Sequence, residues 1–288
     1  MDHEATGRRQ LLRECLAAPG PTVVPGAYDA ISARLIEVAG FDAAYVGSYA
    51  TAASRLGLPD VGMISLDAMV DHAASIADAV QVPVLADAEN GFVDAASIWR
   101  TVRLFEKAGV AGIHLEDHRF GKHAPVPQVL DPLDTALGRL RAALDARTDP
   151  AFLIIARTDA VFAHQDIEEA VARMQAYIDA GADMVFPSGV TPDQLAAVRA
   201  RIGGPVVITD QRGYTVADEA AAGADMVLYY GFTLYAAHQG VERALRELRK
   251  SGDGDAGPGV RAQIESVEDM MGYDDFAARV RKYSNPSS

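Results

Sequence analysis

Eight short runs of β-branched and aliphatic residues, each followed by a stretch of helical period, predict an α/β fold closed as a (β/α)8 barrel with extra C-terminal helices. Two details support a repeated strand-helix unit. Helical stretches end in an Ala-Gly pair at Gly40, Gly109, Gly181 and Gly223, where glycine takes the left-handed conformation that closes a helix. The run AGADMV occurs twice, around Gly181 and around Gly223. An open doubly wound sheet is the alternative arrangement.

Taken in order, strands are expected at 22–24, 43–47, 83–86, 111–115, 152–156, 183–187, 205–209 and 225–229, mostly apolar on both faces as buried parallel strands should be. Helical period is clearest over 94–108 and 166–180. The segment 251–259, SGDGDAGPG, is too rich in Gly, Asp and Ser for either element and reads as a linker. Beyond it the helical pattern is amphipathic, with Ile264, Val267, Met270, Met271, Phe276 and Val280 available for burial. The expected organisation is a catalytic barrel over 1–250, a linker over 251–259 and a helical extension over 260–288, which caps its own barrel or packs at a subunit interface.

Composition narrows the function. With 288 residues and 49% hydrophobic content the chain has a full-sized core, and 26 basic against 40 acidic residues give a net charge of -14. That charge repels phosphate backbones and anionic lipid, so nucleic acid and membrane are excluded as partners. The single cysteine, Cys15, forms no intramolecular disulfide, and no secretory or membrane-spanning apolar segment is present in the sequence, so a cytoplasmic location is expected.

In a barrel the chemistry sits at the carboxyl ends of the strands. Three consecutive strands end there in Asp87-Ala88-Glu89, Glu116-Asp117 and Arg157-Thr158-Asp159. Alternation places Asp87 and Glu89 on one side, with Glu116 arriving from the next strand, and oxygen ligands without sulfur suit Mg²⁺ or Mn²⁺. The plainer reading makes such acids helix caps, a role for which Asp94 and Asp131 are better placed. Arg157 fits either a structural ion pair or a substrate carboxylate, and a metal with an arginine suits a 2-oxo acid. The histidines show no metal-ligand spacing: His72 and His164 read as surface or packing residues and His114 as facing the barrel wall. Gly203-Gly204 precedes a strand and lacks a dinucleotide fingerprint.

Five segments, VPGAYDAISARLIEVAGF, LGLPDVG, VPVLADAENGF, GIHLEDH and FLIIARTDA, resemble in order and spacing the isocitrate lyase and phosphoenolpyruvate mutase superfamily. The resemblance implies a Mg²⁺-dependent barrel acting on small carboxylate substrates, 2-oxo or 2-hydroxy acids, through an enolate. It also implies a homo-oligomer, a dimer of dimers in which a helix is exchanged between subunits. Position by position, it makes Asp87 the direct metal ligand, Glu89 a second metal acid and Glu116 a water-mediated one. Asp60 matches another active-site acid, Arg157 the carboxylate-binding arginine, and Tyr45, Gly47 and Ser48 the loop that receives the substrate carboxylate.

The departures matter as much. Where the carbon-carbon lyases of the family read close to Lys-Arg-Cys-Gly-His, this chain reads Gly121-Lys122-His123-Ala124-Pro125-Val126. Lys122 is kept, but Ala124 stands at the cysteine and cannot move a proton. Ser188 replaces a glutamate typical of those lyases. These changes predict a lyase that is neither a true isocitrate nor a true methylisocitrate lyase, with Lys122, His123 or Tyr45 as proton donor. A mutase or hydrolase acting on a phosphorus-carbon bond is the alternative enzyme, and a metabolite-binding barrel without turnover the alternative of another class.

Overall fold

A computed structural model of the chain describes residues 3–119, 122–124, 126–255 and 259–284. Gly121 and Pro125 of the expected loop and positions 256–258 of the expected linker lie outside the described residues.

The eight expected strands are present: β1 (Thr22–Pro25), β2 (Ala44–Val46), β3 (Val84–Asp87), β4 (Gly112–Glu116), β5 (Leu153–Thr158), β6 (Met184–Pro187), β7 (Val207–Thr209) and β8 (Met226–Tyr229). All pairings are parallel, in the orders β2-β3-β4-β5-β6 and β1-β8-β7. Single parallel bridges, Gly26 to Tyr45 and Val185 to Val206, join the two sets and close the barrel. Alternation then sorts the side chains into two cores. Val24, Tyr45, Leu85, Leu153, Ile155, Met184, Phe186, Val207, Met226 and Leu228 fill the interior. Val46, Ala86, Ile113, Ile154, Ala156, Val185, Ile208 and Val227 face the surrounding helices.

The helices are α1 (His3–Ala17), α2 (Ala30–Val38), α3 (Ser48–Thr51), α4 (Leu66–Ala79), α5 (Ile98–Lys107), α6 (Leu133–Ala146), α7 (Ala160–His164), α8 (Ile167–Asp179), α9 (Pro192–Val198), α10 (Val216–Ala221), α11 (Phe232–Ser251), α12 (Ile264–Met271) and α13 (Tyr273–Tyr283). Asp94 caps the 3-10 turn that leads into α5, accepting from the Ser97 amide, as the sequence suggests. Asp131 does not cap α6. Pro132 occupies that position, and the Asp131 carboxylate instead pairs with Arg119 and Arg139.

Helix α1, with no counterpart in the sequence reading, closes the amino end of the barrel. Its Leu12 enters the interior core, and Arg9 donates to the Val110 and Glu106 carbonyls and to Asp149. Toward the C-terminus the chain divides into compact units 1–234 and 235–288, the division falling inside α11. That helix continues through Ser251, one residue into the expected linker. In the second unit α11, α12 and the turn before α12 line a groove of about 740 Å³ that includes Val241, Ala244, Ile264, Val267 and Met271.

Candidate active site

Inward positions at the carboxyl ends of β2 to β5 bring Tyr45, Asp87, His114, Glu116 and Arg157 to one mouth. Ser48, the first residue of α3, joins them through its hydroxyl, 2.8 Å from Asp87 Oδ2 and 3.1 Å from Asp60 Oδ2. Gly47 must be small there, because a Cβ would come within 2.8 Å of the Tyr45 ring. Glu89 arrives by a turn and not by strand alternation. Strand β3 has ended at Asp87, and Glu89 sits in the left-handed region at φ 50°, its amide held 2.8 Å from Asp87 Oδ1.

At the centre lies the Lys122 ammonium, only 2% exposed. Its Nζ is 2.8 Å from Glu89 Oε2, 3.1 Å from each Glu116 oxygen, and 3.9 Å from both Asp60 Oδ2 and Asp87 Oδ2. His123, also at positive φ, brings Nε2 to 3.5 Å from Asp60 and packs against Phe162. Arg157 lies over the Phe186 ring with Nη1 3.4 Å from Glu116. Its fork is engaged by Asp159 at 2.7 and 3.1 Å, and Asp159 is held in turn by His118 Nδ1 at 2.8 Å.

The charges are unevenly matched. Burial pushes the Glu116 carboxyl well above the ordinary range and raises Glu89, against the pull of Lys122. Burial acts the same way on Asp87, but His114, Lys122, Arg157 and the Glu89 amide outweigh it and hold the group below the carboxylate range. His114 is itself driven down to about 4, chiefly by burial, so at neutral pH the cations facing Asp87 are Lys122 and Arg157. Burial would also lower Lys122, yet Glu116, Asp87 and Glu89 keep it charged, well above the usual lysine value. Tyr45 is raised well above 10 by burial and by Asp87, which leaves its phenol protonated. In this cluster the buried oxygens Asp60 Oδ1 and Glu89 Oε1 have no hydrogen-bond partner among the described residues.

Asp60, Asp87, Glu89 and Glu116 thus form a cage of hard oxygen donors of the kind a divalent cation takes. With the ammonium at its centre, no three acid, His or Cys side chains among the described residues stand close enough to hold a metal ion as they are. Among the other expected site residues, Ser48 orients acids in this arrangement and Arg157 is paired with Asp159. Ser188 stands after β6, opposite β2 across the barrel, half-buried, with its amide on the Thr158 carbonyl. Among the described residues its side chain bonds to none of the acids.

His114, expected from the sequence to face the barrel wall, stands in the mouth instead. Its Nε2 is 2.8 Å from the Tyr45 hydroxyl, its ring stacks on Tyr45 and meets Phe186 edge-on, and Nδ1 lies 3.7 Å from Asp87. Alternation already held the signal, since His114 stands two residues before Glu116 on β4 and so shares its inward face. Asp159 carried the same signal, two residues after Arg157 at the end of β5, whereas His118, beyond the end of β4, did not.

A family model described as phosphoenolpyruvate phosphomutase matches residues 12–249. The 2-methylisocitrate lyase of Shewanella oneidensis is 38% identical, over 83% of this chain and 85% of that one. An oxaloacetate decarboxylase of a Bradyrhizobium species is 34% identical over 98% of each. Among solved structures, a phosphoenolpyruvate phosphomutase from Streptomyces platensis superposes with a TM-score of 0.89 at 34% identity, covering 96% of this chain and 99% of that one. Barrel, motif order and these matches agree: the chain belongs to the isocitrate lyase and phosphoenolpyruvate mutase superfamily.

Proposed function

We propose that the protein is a Mg²⁺- or Mn²⁺-dependent lyase that breaks a carbon-carbon bond of a small 2-oxo or 2-hydroxy di-acid, with decarboxylation of an oxaloacetate-like acid as the simplest case. The observation that carries this reading is the mouth itself: four acids, two cations and a protonated phenol converge, and the loop beside them offers the Ala124 methyl where a thiol would act.

Asp87, Glu89 and Glu116 would hold the cation, with Asp60 beside them. Bound there, it supplies positive charge at the 2-oxo oxygen of the substrate as negative charge develops on it. Arg157 pairs with the C1 carboxylate once Asp159 shares its fork. As the bond from C3 to the departing carboxylate breaks, the electron pair moves into the carbonyl, carbon dioxide leaves and the pyruvate enolate remains. One proton delivered to C3, by Lys122, Tyr45 or His123, completes pyruvate. Cleavage of a 2-hydroxy acid needs in addition a base to take the hydroxyl proton, a second proton transfer with one acid-base group fewer in this loop. That count favours decarboxylation, as does the near full-length similarity to a protein named oxaloacetate decarboxylase.

Ala124 and Ser188 set the reading apart from true isocitrate and methylisocitrate cleavage. The relative named 2-methylisocitrate lyase makes this the sharpest arm of the test. Product release is measured with and without Mg²⁺: pyruvate from oxaloacetate, 2-methyl-substituted malates and 2-methylisocitrate, glyoxylate from isocitrate, and pyruvate or phosphoenolpyruvate from phosphonopyruvate. Turnover of 2-methylisocitrate above the other acids, or full turnover in metal-free protein, would overturn the proposal. Turnover of phosphonopyruvate alone would move the chain to phosphorus-carbon chemistry.

The assembly is part of the same proposal. Ile264, Val267, Met271, Phe276 and Val280 stay exposed in the single chain, and their burial in a homo-oligomer, a dimer of dimers, would remove that apolar surface from water. Sedimentation should show a species larger than a monomer at micromolar concentration, and removal of the residues after Gly259 should weaken it.

A further inference from the structure

Lys122 is more than a proton donor waiting beside a cation site, because its ammonium occupies the centre of that site. Six oxygens surround Nζ: Glu89 Oε2, both of Glu116, Ser48 Oγ at 3.3 Å, and the Asp60 and Asp87 oxygens at 3.9 Å. An ammonium has three hydrogens to donate. The two aspartate contacts lie beyond hydrogen-bond reach, and Asp60 Oδ1 and Glu89 Oε1 have no hydrogen-bond partner among the described residues. The cage therefore provides more oxygen and more negative charge than a single ammonium satisfies. A doubly charged hard ion with six ligands suits it better.

The two cations cannot occupy the cage together. The void beside Lys122, lined by Gly62, Glu89, Asn90, Glu116 and His118 among others, is about 10 Å³, room for one water at most. A divalent ion placed among these acids would also repel an ammonium a few ångströms away.

We propose that Lys122 is a built-in counter-ion, which holds the Asp60, Asp87, Glu89 and Glu116 cage together without metal and is expelled from it when a divalent cation enters. This rests on the reading of the cage as a cation site. Metal entry then has two consequences. The site exchanges one positive charge for two, and the lysine that leaves becomes available to an anionic substrate, so the protein offers both cations to a di-acid only in its metal-loaded state.

The test measures the lysine directly. Full-length protein, metal-free or saturated with Mg²⁺ as followed by calorimetry, is exposed briefly to an amine-acylating reagent. Labelling at Lys122 is then quantified by mass spectrometry, with exposed Lys107, Lys250 and Lys282 as references. Lys122 should be protected without metal and labelled at least tenfold faster with it, while the references change less than twofold. In parallel, Lys122→Met, which removes the competing charge, should bind Mg²⁺ at least tenfold more tightly than the wild type.

Mg²⁺ binding with unchanged Lys122 labelling, or with equal affinity in the variant, overturns the counter-ion proposal and leaves the cation site standing. Absence of Mg²⁺ and Mn²⁺ binding to both proteins at millimolar concentration removes the cation site and the counter-ion role together. Should Lys122→Met not fold, the labelling of the wild type decides alone.

Discussion

Around Arg9, at the amino end of the barrel, every polar atom of the buried charges has a partner, whereas among the described residues the acids at the carboxyl end leave two oxygens without one. Beneath the strands, Arg9 uses all three of its side-chain nitrogens, on Val110, Glu106 and Asp149. Asp149 also accepts from Thr6 and from the Ala151 amide, and both oxygens of Glu106 are taken by Thr148 and Asp149. Above the strands, Asp60 Oδ1, Glu89 Oε1 and His114 Nδ1 have no hydrogen-bond partner among the described residues, and Glu89, Phe92 and His123 stand at positive φ without being glycine. Satisfied charges stabilise a fold, and strained or unsatisfied ones persist where the surrounding structure holds them for use. One barrel thus separates the two tasks by the three to six residues of each strand.

The contrast is broken most severely at the carboxyl end by Lys122→Ala and Asp87→Ala. Each should lower turnover about a thousandfold or more, since the first removes charge stabilisation and a proton source and the second the acid matched to direct metal contact. Glu89→Ala should cost less than Asp87→Ala. If Lys122→Ala and His123→Ala both keep wild-type turnover on the true substrate, the proton donor is Tyr45 or a water at the cation site.

The mirror experiment at the amino end is Arg9→Ala. It leaves Asp149 buried with one partner fewer and removes two carbonyl bonds, a loss of about 3 kcal/mol or more by analogy with other broken buried pairs. Denaturant unfolding should show that loss, while kcat/KM of the folded enzyme changes less than about threefold, because no atom of Arg9 reaches the mouth. A hundredfold fall in kcat/KM with little loss of stability would erase the distinction between the two ends.

How much of this division the sequence discloses depends on the kind of interaction. The strands are legible because burial on both faces demands continuous aliphatic runs, and all eight lie within two residues of their expected bounds. Asp87, Glu116 and Arg157 are legible because strand ends and alternation aim them. The amino end is not, since Arg8, Arg9, Arg13 and Glu14 look like a solvated charged segment, and only the folded barrel supplies the carbonyls to which the arginines donate. Asp131 looks like a cap because it precedes Pro132, while its partners Arg119 and Arg139 lie 12 and 8 residues away. No periodicity specifies that Lys122 reaches the cage, because a loop follows none.

A milder substitution sharpens the trade between the two ends. Burial raises Glu89, so its charged form is costlier in the folded protein than in the unfolded chain. Glu89→Gln keeps the shape and removes that cost. Its unfolding free energy at pH 7 should equal or exceed the wild type, by about 1 kcal/mol at most, while Mg²⁺ affinity falls. A clear loss of stability would mean that Glu89 serves the fold as Asp149 does.

The smallest effect concerns acid. Burial alone would raise the Asp149 carboxyl, but bonds from Arg9, the Ala151 amide and Thr6 prevail and hold it below its ordinary value. A carboxyl depressed in the folded state binds fewer protons there than in the unfolded chain, so its contribution is fully present above the unfolded value near 4 and is lost as pH falls through the folded one. Asp149→Asn should therefore be less stable than the wild type at pH 7, with the gap closing as the pH drops below about 4. Glu89→Gln, whose parent group is shifted the other way, should be most favoured at high pH and lose its advantage as the pH falls toward the ordinary glutamate range and the wild-type carboxyl takes up its proton. Unfolding free energies of the three proteins across pH 3 to 8 would thus give two difference curves whose magnitudes both shrink toward acid from opposite signs, one for each end of the barrel. Curves of the same sign would mean that the buried acids at the two ends face the same electrostatic environment.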